Sequence, residues 1–515
     1  MIVERLFALV SRILQQPWFL FAALTIGILL AGRSAMLRDP GTFWHVAAGE
    51  WMLRSGEILR ADPFSFTFFG RPWTDDQWLA ECGMATVVRS WGWDGLLLAV
   101  AVILSAFFAW LATRLLQTGL NLLPTVLLLG LVLLMASPQF HLRPLILTMV
   151  LLGVTMALLV DVESGRKSVR QLWWLTPLFA VWANLHGGVL AGIGSAGLCL
   201  TGWIVFGLPD SKPRVGRLGW RLELILLGGS LLLATLVNPY GLALPGEWLE
   251  TLRMPLPALL DEHRRLTLDD PVIWAVFASA AIYLVALLGT WPRRPRLTWL
   301  VPLLWFVFAL LRVRNAALFG IVGMVALADM LPHSSLGRWL ERREWLASRR
   351  TIGRWQLLVA PLAVVLAAVG FSGTGMPARL SLTALAEVDS QRWPVALLPK
   401  LDTIARKEHA PVAIFNDLNF GGFLIYYQPR MQVFVDDRCS LYGQEFLLEY
   451  DRARRIEPER IDAWRQQYGF RYALVERGNA FDRYLGDSRQ WALLGRSESA
   501  SLYEYQRAGK GIERR

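Results

Sequence analysis

The sequence predicts a polytopic α-helical membrane protein of about eleven spans, with a C-terminal extracytoplasmic α/β domain. Three observations lead there. Apolar residues gather in runs near 20 long, enough to cross a bilayer as helices. Only 18% of the 515 residues are charged, where a soluble chain averages about a quarter, and 54% are hydrophobic, including 24 Trp and 25 Phe. The last part of the chain then changes character, with short β-branched or aromatic runs alternating with helix-like stretches. Together these exclude a soluble enzyme, a disordered scaffold and a repeat solenoid.

Residues 1–16 place Ile2, Leu6, Leu9, Val10, Ile13 and Leu14 at helical spacing, with Glu4, Arg5, Arg12 and Gln16 opposite. This pattern predicts an amphipathic helix on the membrane surface. The first span is expected at 18–37. No small-residue cleavage site follows it, so it reads as a retained anchor. Further spans are expected near 94–116, 120–137, 144–161, 172–186, 188–207, 221–238, 271–290, 297–311, 315–332 and 354–371. The first domain is then 1–372, with 38–93 as its first extracytoplasmic loop. In the second, 373–515, strands are expected at Val412–Phe415, Val433–Val435, Tyr472–Val475 and Leu502–Tyr505, with helices at 442–455 and 457–468.

The net charge of +11 is not a nucleic-acid signal once it is located. Residues 373–515 hold 21 Lys and Arg against 19 Asp and Glu, and the membrane part holds the remaining 31 against 22. Much of that excess sits in four short loops: Arg166, Lys167 and Arg170; Lys212, Arg214, Arg217 and Arg221; Arg293, Arg294 and Arg296; and Arg338 through Arg354. Under eleven spans these loops share one side with the N-terminus. The positive-inside tendency makes that side cytoplasmic, and residues 38–93 and the tail fall on the other. Cys82, Cys199 and Cys439 have no metal or redox spacing. Gly192-Ile-Gly-Ser-Ala-Gly197 matches a dinucleotide fingerprint in form, but it lies inside an apolar span with no preceding strand, so it reads as close helix packing. No P-loop, zinc-protease or nucleophile-elbow motif occurs.

The polar residues at the membrane edge gather on the outer side. Asp39, His45, Asp62, Asp75, Asp76 and Glu81 fall in the first loop, and His141 and Arg143 in the next. Asn184 and His186 follow, then Asn238-Pro-Tyr-Gly241 with Glu262 to Arg265, then Arg312, Arg314 and Asn315. Each has a structural reading beside a functional one. Asp39-Pro40 suits a helix N-cap, Asp62-Pro63 a turn, and Asn238-Pro-Tyr-Gly241 a helix stop. His141 and His186 suit buried satisfied rings, and Arg312 and Arg314 suit snorkelling cations.

The first loop carries Arg38-Asp-Pro-Gly-Thr-Phe-Trp-His45, Gly49-Glu-Trp51, Ala61-Asp-Pro-Phe-Ser-Phe-Thr67, Arg71-Pro-Trp73 and Gln77-Trp-Leu-Ala-Glu81. These resemble the opening of bacterial GT-C superfamily glycosyltransferases of the protein-mannosyltransferase and lipid-A aminoarabinose-transferase type. Asn184-Leu-His-Gly187, Asn238-Pro-Tyr-Gly241, Phe420-Gly-Gly-Phe-Leu-Ile425 and Val433-Phe-Val-Asp-Asp-Arg438 fit the same group, so the resemblance covers nearly the whole chain. It implies an inverting transferase in a bacterial inner membrane. The donor would be a polyprenyl-phosphate-linked sugar, and the acceptor a glycan, lipid or protein. Membrane lipids would surround the protein, with no nucleic-acid partner.

The resemblance also implies an acidic catalytic or metal-linked residue just after the first span, a position that Asp39 matches. Relatives often carry a second acidic residue two positions on, where this chain has Gly41. They often carry His-Glu before Trp-Leu, where it has Asp76-Gln77. The sequence therefore requires no metal, and a divalent cation stays an open cofactor. Asp39 is the expected base for the acceptor hydroxyl. His45, Asp62, His141, Arg143, Asn184, His186, Arg312 and Arg314 are the expected substrate-binding set. Arg143, Arg312 and Arg314 answer the charge that gathers on a leaving lipid phosphate, with His186 as a helper. Two other classes compete: a non-catalytic binder of lipid-linked glycans, and a transporter or flippase of envelope glycans.

Overall fold

The computed structural model describes residues 17–208, 217–254, 263–343, 386–408 and 411–506. The expected surface helix at 1–16 and the expected span at 354–371 lie outside the described residues. Contacts divide the chain into two compact units. One is helical and comprises Met1–Ala35, Asp94–Gly241 and Leu256–Leu385. The other comprises Met36–Trp93, Leu242–Pro255 and Ala386–Arg515. The segment expected as a membrane-domain loop thus folds with the tail. The long helix Trp78–Leu116 passes from one unit to the other just after Gly92, whose φ of 66° and ψ of −170° interrupt its helical backbone.

Among the described residues, seven helices are long and apolar enough to cross a membrane. A 19-residue helix such as Leu145–Glu163 rises about 28 Å, close to the hydrocarbon thickness. The expected spans at 172–186 and 297–311 take a different form. Leu175–Leu185 and Val301–Leu311 are 11-residue helices, each entered through a 3₁₀ turn. Each stops where the next residue, His186 or Arg312, turns extended. Arg217–Ala234 is 18 residues long, but Arg217, Arg221 and Glu223 occupy its first turns.

Asn315–Met330 runs through the middle of the helical unit, buried from Ala316 to Met330. Its small residues explain this, because without a hydrophobic drive between spans, close backbone approach supplies the packing. A Cβ on Gly320 would lie 2.7 Å from Met135 Cε, and one on Gly153 of Leu145–Glu163 would lie 2.5 Å from the Phe107 ring.

Charge ties the C-terminal ends of these helices together. Arg166 bridges Asp161 at 2.9 Å and Asp329 at 2.5 Å. Arg114 pairs with Asp161 at 2.8 Å, and Arg296 with Asp329 at 2.5 Å. Trp299 Nε1 donates to Asp329 at 2.8 Å, while Glu163 accepts from Leu297 N, Thr298 N and Thr298 Oγ1. Leu145–Glu163 and Asn315–Met330 therefore run parallel, and their N-terminal ends share the opposite end of the unit.

The other unit is built on a five-stranded sheet in the order β2-β1-β3-β5-β4. The strands are β1 Val412–Asn416, β2 Met431–Val433, β3 Tyr472–Glu476, β4 Trp491–Arg496 and β5 Ala500–Tyr505. β1 pairs parallel with β2 and β3, while β5 pairs antiparallel with β3 and β4. Four of these strands fall where expected to within two residues, and β4 was not anticipated. The open β2 edge is covered by residues 64–66 of the first loop. Ser65 bridges Val433, Phe66 N donates to Val433 O at 3.1 Å, and Val433 N donates to Phe64 O at 3.0 Å. This leaves no unpaired strand edge there.

Candidate functional site

Asp39 stands immediately before Pro40 and the helix Gly41–Ser55. One carboxylate oxygen accepts from Gly41 N at 2.8 Å, so the residue caps the helix start. Its side chain sits at the edge of the unit's interior, 9% exposed. Tail residues grip the chain on both sides of it. Trp393 Nε1 donates to Leu37 O at 3.0 Å, Arg38 pairs with Asp389 at 3.2 Å, and Trp44 Nε1 donates to Asp437 at 2.7 Å. The helix Leu418–Tyr427 then lies directly on Gly41–Ser55. Gly422 faces the Pro40 carbonyl and the Trp44 ring so closely that any Cβ would collide with that oxygen. The Gly-Gly pair of the tail motif is needed for this approach, because Gly421 meets Val435 O and Asp436 in the same way.

His45 is fully buried. Its Nδ1 lies 2.7 Å from Glu81 Oε1, and its ring packs on Trp44 at 3.8 Å between centroids. Glu81 in turn lies beside the Asp75 side chain, which accepts from Gln77 N at 3.1 Å. Two buried carboxyl groups side by side cannot both ionise cheaply, and burial together with the Asp75 charge pushes the Glu81 carboxyl well up. Burial pushes the Asp75 carboxyl up, and the Arg438 charge partly offsets that. The three residues form an internal brace between the start of Trp78–Leu116 and the Gly41–Ser55 helix. Sequence reasoning placed Asp75 and Glu81 in the outer loop but did not join them to His45. No local pattern joins them, because His45 and Glu81 lie 36 residues apart.

Asp62 is likewise committed inside. It accepts from Phe64 N, Ser65 N and the Ser65 hydroxyl, and Arg438 Nη1 reaches it at 2.7 Å. Arg438 has no exposed side-chain surface. It also makes paired contacts with Asp436 at 2.6 and 2.8 Å and lies over the Phe64 and Trp73 rings. Tyr442 donates to Asp436 at 2.8 Å. Arg438, Asp436 and Tyr442 were missed as a group because their partner lies 376 residues earlier. In this structure His45 and Asp62 hold the fold of the loop and offer no exposed surface to a substrate.

The remaining expected residues belong to the helical unit. His141 and Arg143 precede Leu145–Glu163, Arg312 and Arg314 precede Asn315–Met330, and Asn184 and His186 close Leu175–Leu185. Thr148, in the first turn of Leu145–Glu163, contacts His186 Nδ1 at 3.0 Å. All six thus lie at the end of the unit opposite the Asp161–Asp329 lock. Gly188 N donates to His186 Nδ1 at 2.8 Å, so in the neutral ring Nε2 carries the proton and is a donor. Trp182 Nε1 holds Thr148 Oγ1 at 3.0 Å, fixing this arrangement. The Asn184 amide donates to Ala180 O and Val237 O at 2.7 Å. Asn238 acts as the expected helix stop, with bonds to Thr235 O, Gly241 O and Tyr240 N. Arg314 contacts His263 Nε2 at 2.6 Å, whereas the half-buried Arg312 side chain makes no hydrogen bond or ion pair among the described residues.

No family model matches the chain, and no curated protein does. Solved structures do. ArnT from Cupriavidus metallidurans bound to undecaprenyl phosphate aligns with a TM-score of 0.55 at 14% identity, covering 96% of this chain and 99% of that one. The same protein in the apo state aligns at 0.52 with 16% identity, covering 94% and 96%. The archaeal oligosaccharyltransferase AglB from Archaeoglobus fulgidus, in complex with an inhibitory peptide and a dolichol-phosphate, aligns at 0.54 with 12% identity, covering 89% of this chain and 69% of that one. The helices, the mixed sheet and these alignments together make the chain an integral membrane protein with the fold of the GT-C membrane glycosyltransferases.

Proposed function

We propose that this protein transfers a sugar from a polyprenyl-phosphate-linked donor to an acceptor hydroxyl on the extracytoplasmic face of a bacterial inner membrane, with inversion. The observation that carries the reading is the end-to-end likeness to a transferase solved with undecaprenyl phosphate, spanning 96% of this chain. Asp39 is the proposed base. It removes the acceptor proton as the hydroxyl attacks the anomeric carbon, the bond to the lipid phosphate breaks, and a single displacement inverts that carbon. The departing phosphate gathers negative charge, which fixed donors stabilise in a dry site. Arg312, Arg143, Arg314 and the Nε2 proton of His186 are proposed for that duty. His45, Glu81, Asp75 and the Asp62–Arg438 pair are positioning residues, which hold the loop that presents Asp39. Among the described residues no group of three His, Cys, Asp or Glu side chains gathers as a metal site, and a divalent cation stays an open cofactor.

Chain connectivity supports the orientation. Residues 64–66 pair with β2, and the helix Ala243–Arg253 contacts Cys439–Arg455. Segments in contact share one side of any membrane, so even numbers of crossings are required over 94–241 and over 256–385. The sequence reading places six and four there, with the basic loops on the opposite side.

The test is Asp39→Asn in the purified protein, supplied with lipid-linked sugar. Asn preserves the cap to Gly41 N nearly as well as Asp, so melting temperature should hold. Transfer should fall at least ~100-fold, the low end for losing a general base. Near wild-type transfer would leave Asp39 only a cap.

A further inference from the structure

We infer that the end of the helical unit opposite Arg143 and Arg312 carries a binding groove for an anionic phospholipid. Between the helices Trp78–Leu116 and Leu145–Glu163 lies a cavity of about 310 Å³, within the size range of ligand sites. Its apolar lining comes from Trp110, Val154, Ala157 and Leu158, and its polar lining from Arg114, Lys167, Gln171 and the Asp161 carboxylate. From Val154 to Asp161 the helix climbs seven residues, or about 10 Å. One groove thus runs from a charged rim down an apolar flank, which is the layout of a phosphate headgroup above an acyl chain. The exposed Val154 and Trp174 mark the flank as open, and a tryptophan at the rim suits the membrane–water boundary.

Charge selects the headgroup. Asp161 alone serves three cations: Arg114 at 2.8 Å, Arg166 at 2.9 Å and Lys167 at 3.5 Å. Arg166 and Arg296 share Asp329. Glu163, the third carboxylate at this end, is occupied by Leu297 N, Thr298 N and Thr298 Oγ1. Among the described residues these four cations pair with two carboxylates, Asp161 and Asp329, and Lys167 makes the longest contact of the set while lining the cavity. A phosphodiester monoanion there offsets part of the excess, and its acyl chain fills the apolar wall. A zwitterionic lipid brings its own cation to the same rim and gains less.

The experiment uses the full-length protein in detergent, with equal amounts of phosphatidylglycerol and phosphatidylcholine of identical chains, read by native mass spectrometry. Wild type should retain phosphatidylglycerol in preference. Lys167→Ala should lower that retention about fivefold, the share of one lysine near an anionic lipid surface. Val154→Trp, which fills the groove from an exposed position, should lower retention of both lipids. Unchanged melting temperatures confirm that both variants are folded, and both sites are exposed enough to tolerate change. Millimolar inorganic phosphate should not displace the lipid. The inference is overturned by equal retention of the two lipids, by wild-type retention in both variants, or by displacement with phosphate, which would mark a free-anion site.

Discussion

Gly422→Ala is expected to cripple transfer while leaving the protein folded in the membrane. The added methyl falls on the Pro40 carbonyl oxygen and 3.2 Å from Trp44 Cδ1. Ordinary carbon contacts lie at about 3.5–4 Å, and the principal obstacle is backbone, which no side-chain rotation can clear. Relief needs the Leu418–Tyr427 helix and the start of Gly41–Ser55 to part by about 1 Å, at an overpacking cost of about 1–3 kcal/mol. That movement falls on Pro40, and so on Asp39 next to it. A displacement of about 1 Å at a catalytic group costs roughly 10²-fold in rate. The assay is single-turnover transfer at saturating donor, beside a melting curve. Gly83→Ala is the control, because a Cβ there meets nothing within 4 Å and helical Ala is favoured over Gly. A Gly422→Ala enzyme with a lowered melting temperature and unchanged rate would refute the link between this contact and Asp39. Equal loss of activity in Gly83→Ala would refute it as well.

Three further outcomes follow from the same structure. Arg438→Met should cost about 3–5 kcal/mol, because it strands Asp62 and Asp436 as buried unpaired carboxylates; a melting temperature near wild type would show that the pairs contribute little. Asp417 is pushed up to about 6 from 3.8 by burial and the neighbouring Glu476. The folded chain then keeps a proton that the unfolded chain has already released, so stability should fall as pH rises from about 4 to about 6. Asp417→Asn should flatten that part of the melting-temperature profile, and parallel profiles for the two proteins would contradict the assignment. A reporter active only in the cytoplasm, fused after Arg515, should stay silent, and strong signal would reverse the proposed orientation.

Local chemistry was legible in the sequence wherever it repeats at short range. The long apolar runs, the Asn238-Pro-Tyr-Gly241 stop and the Asp39 cap each depend on neighbours within a turn or two. The strands at Val412–Asn416 and Tyr472–Glu476 announced themselves by β-branched and aromatic runs. Trp491–Arg496 did not, because Leu493 points outward and the strand is defined mainly by its partner Ala500–Tyr505. The candidate site was legible as residue types but not as an assembly. His45 and Asp62 read as available ligands, yet Glu81 and Arg438 take them inward, and no periodicity links positions 36 or 376 apart. The 3₁₀ entry and short α-helical length of the segments before His186 and Arg312 were not legible, because composition alone does not show where a helical backbone starts and stops.

The strand-like segment at 64–66 has a consequence for biogenesis. It leaves the ribosome more than 360 residues before the β-strand it lines, and every membrane helix after the first is made in the interval. Through that time Asp62 lacks its guanidinium partner and the Phe64–Phe66 run lacks its strand, so the early segment stays incomplete until the tail is made. Truncation before Val433 would leave it without either partner permanently. Conversely, residues 386–515 expressed alone would present a bare sheet edge and an unsatisfied buried arginine, and should aggregate. Adding back a peptide covering 57–76 should rescue their solubility by fragment complementation.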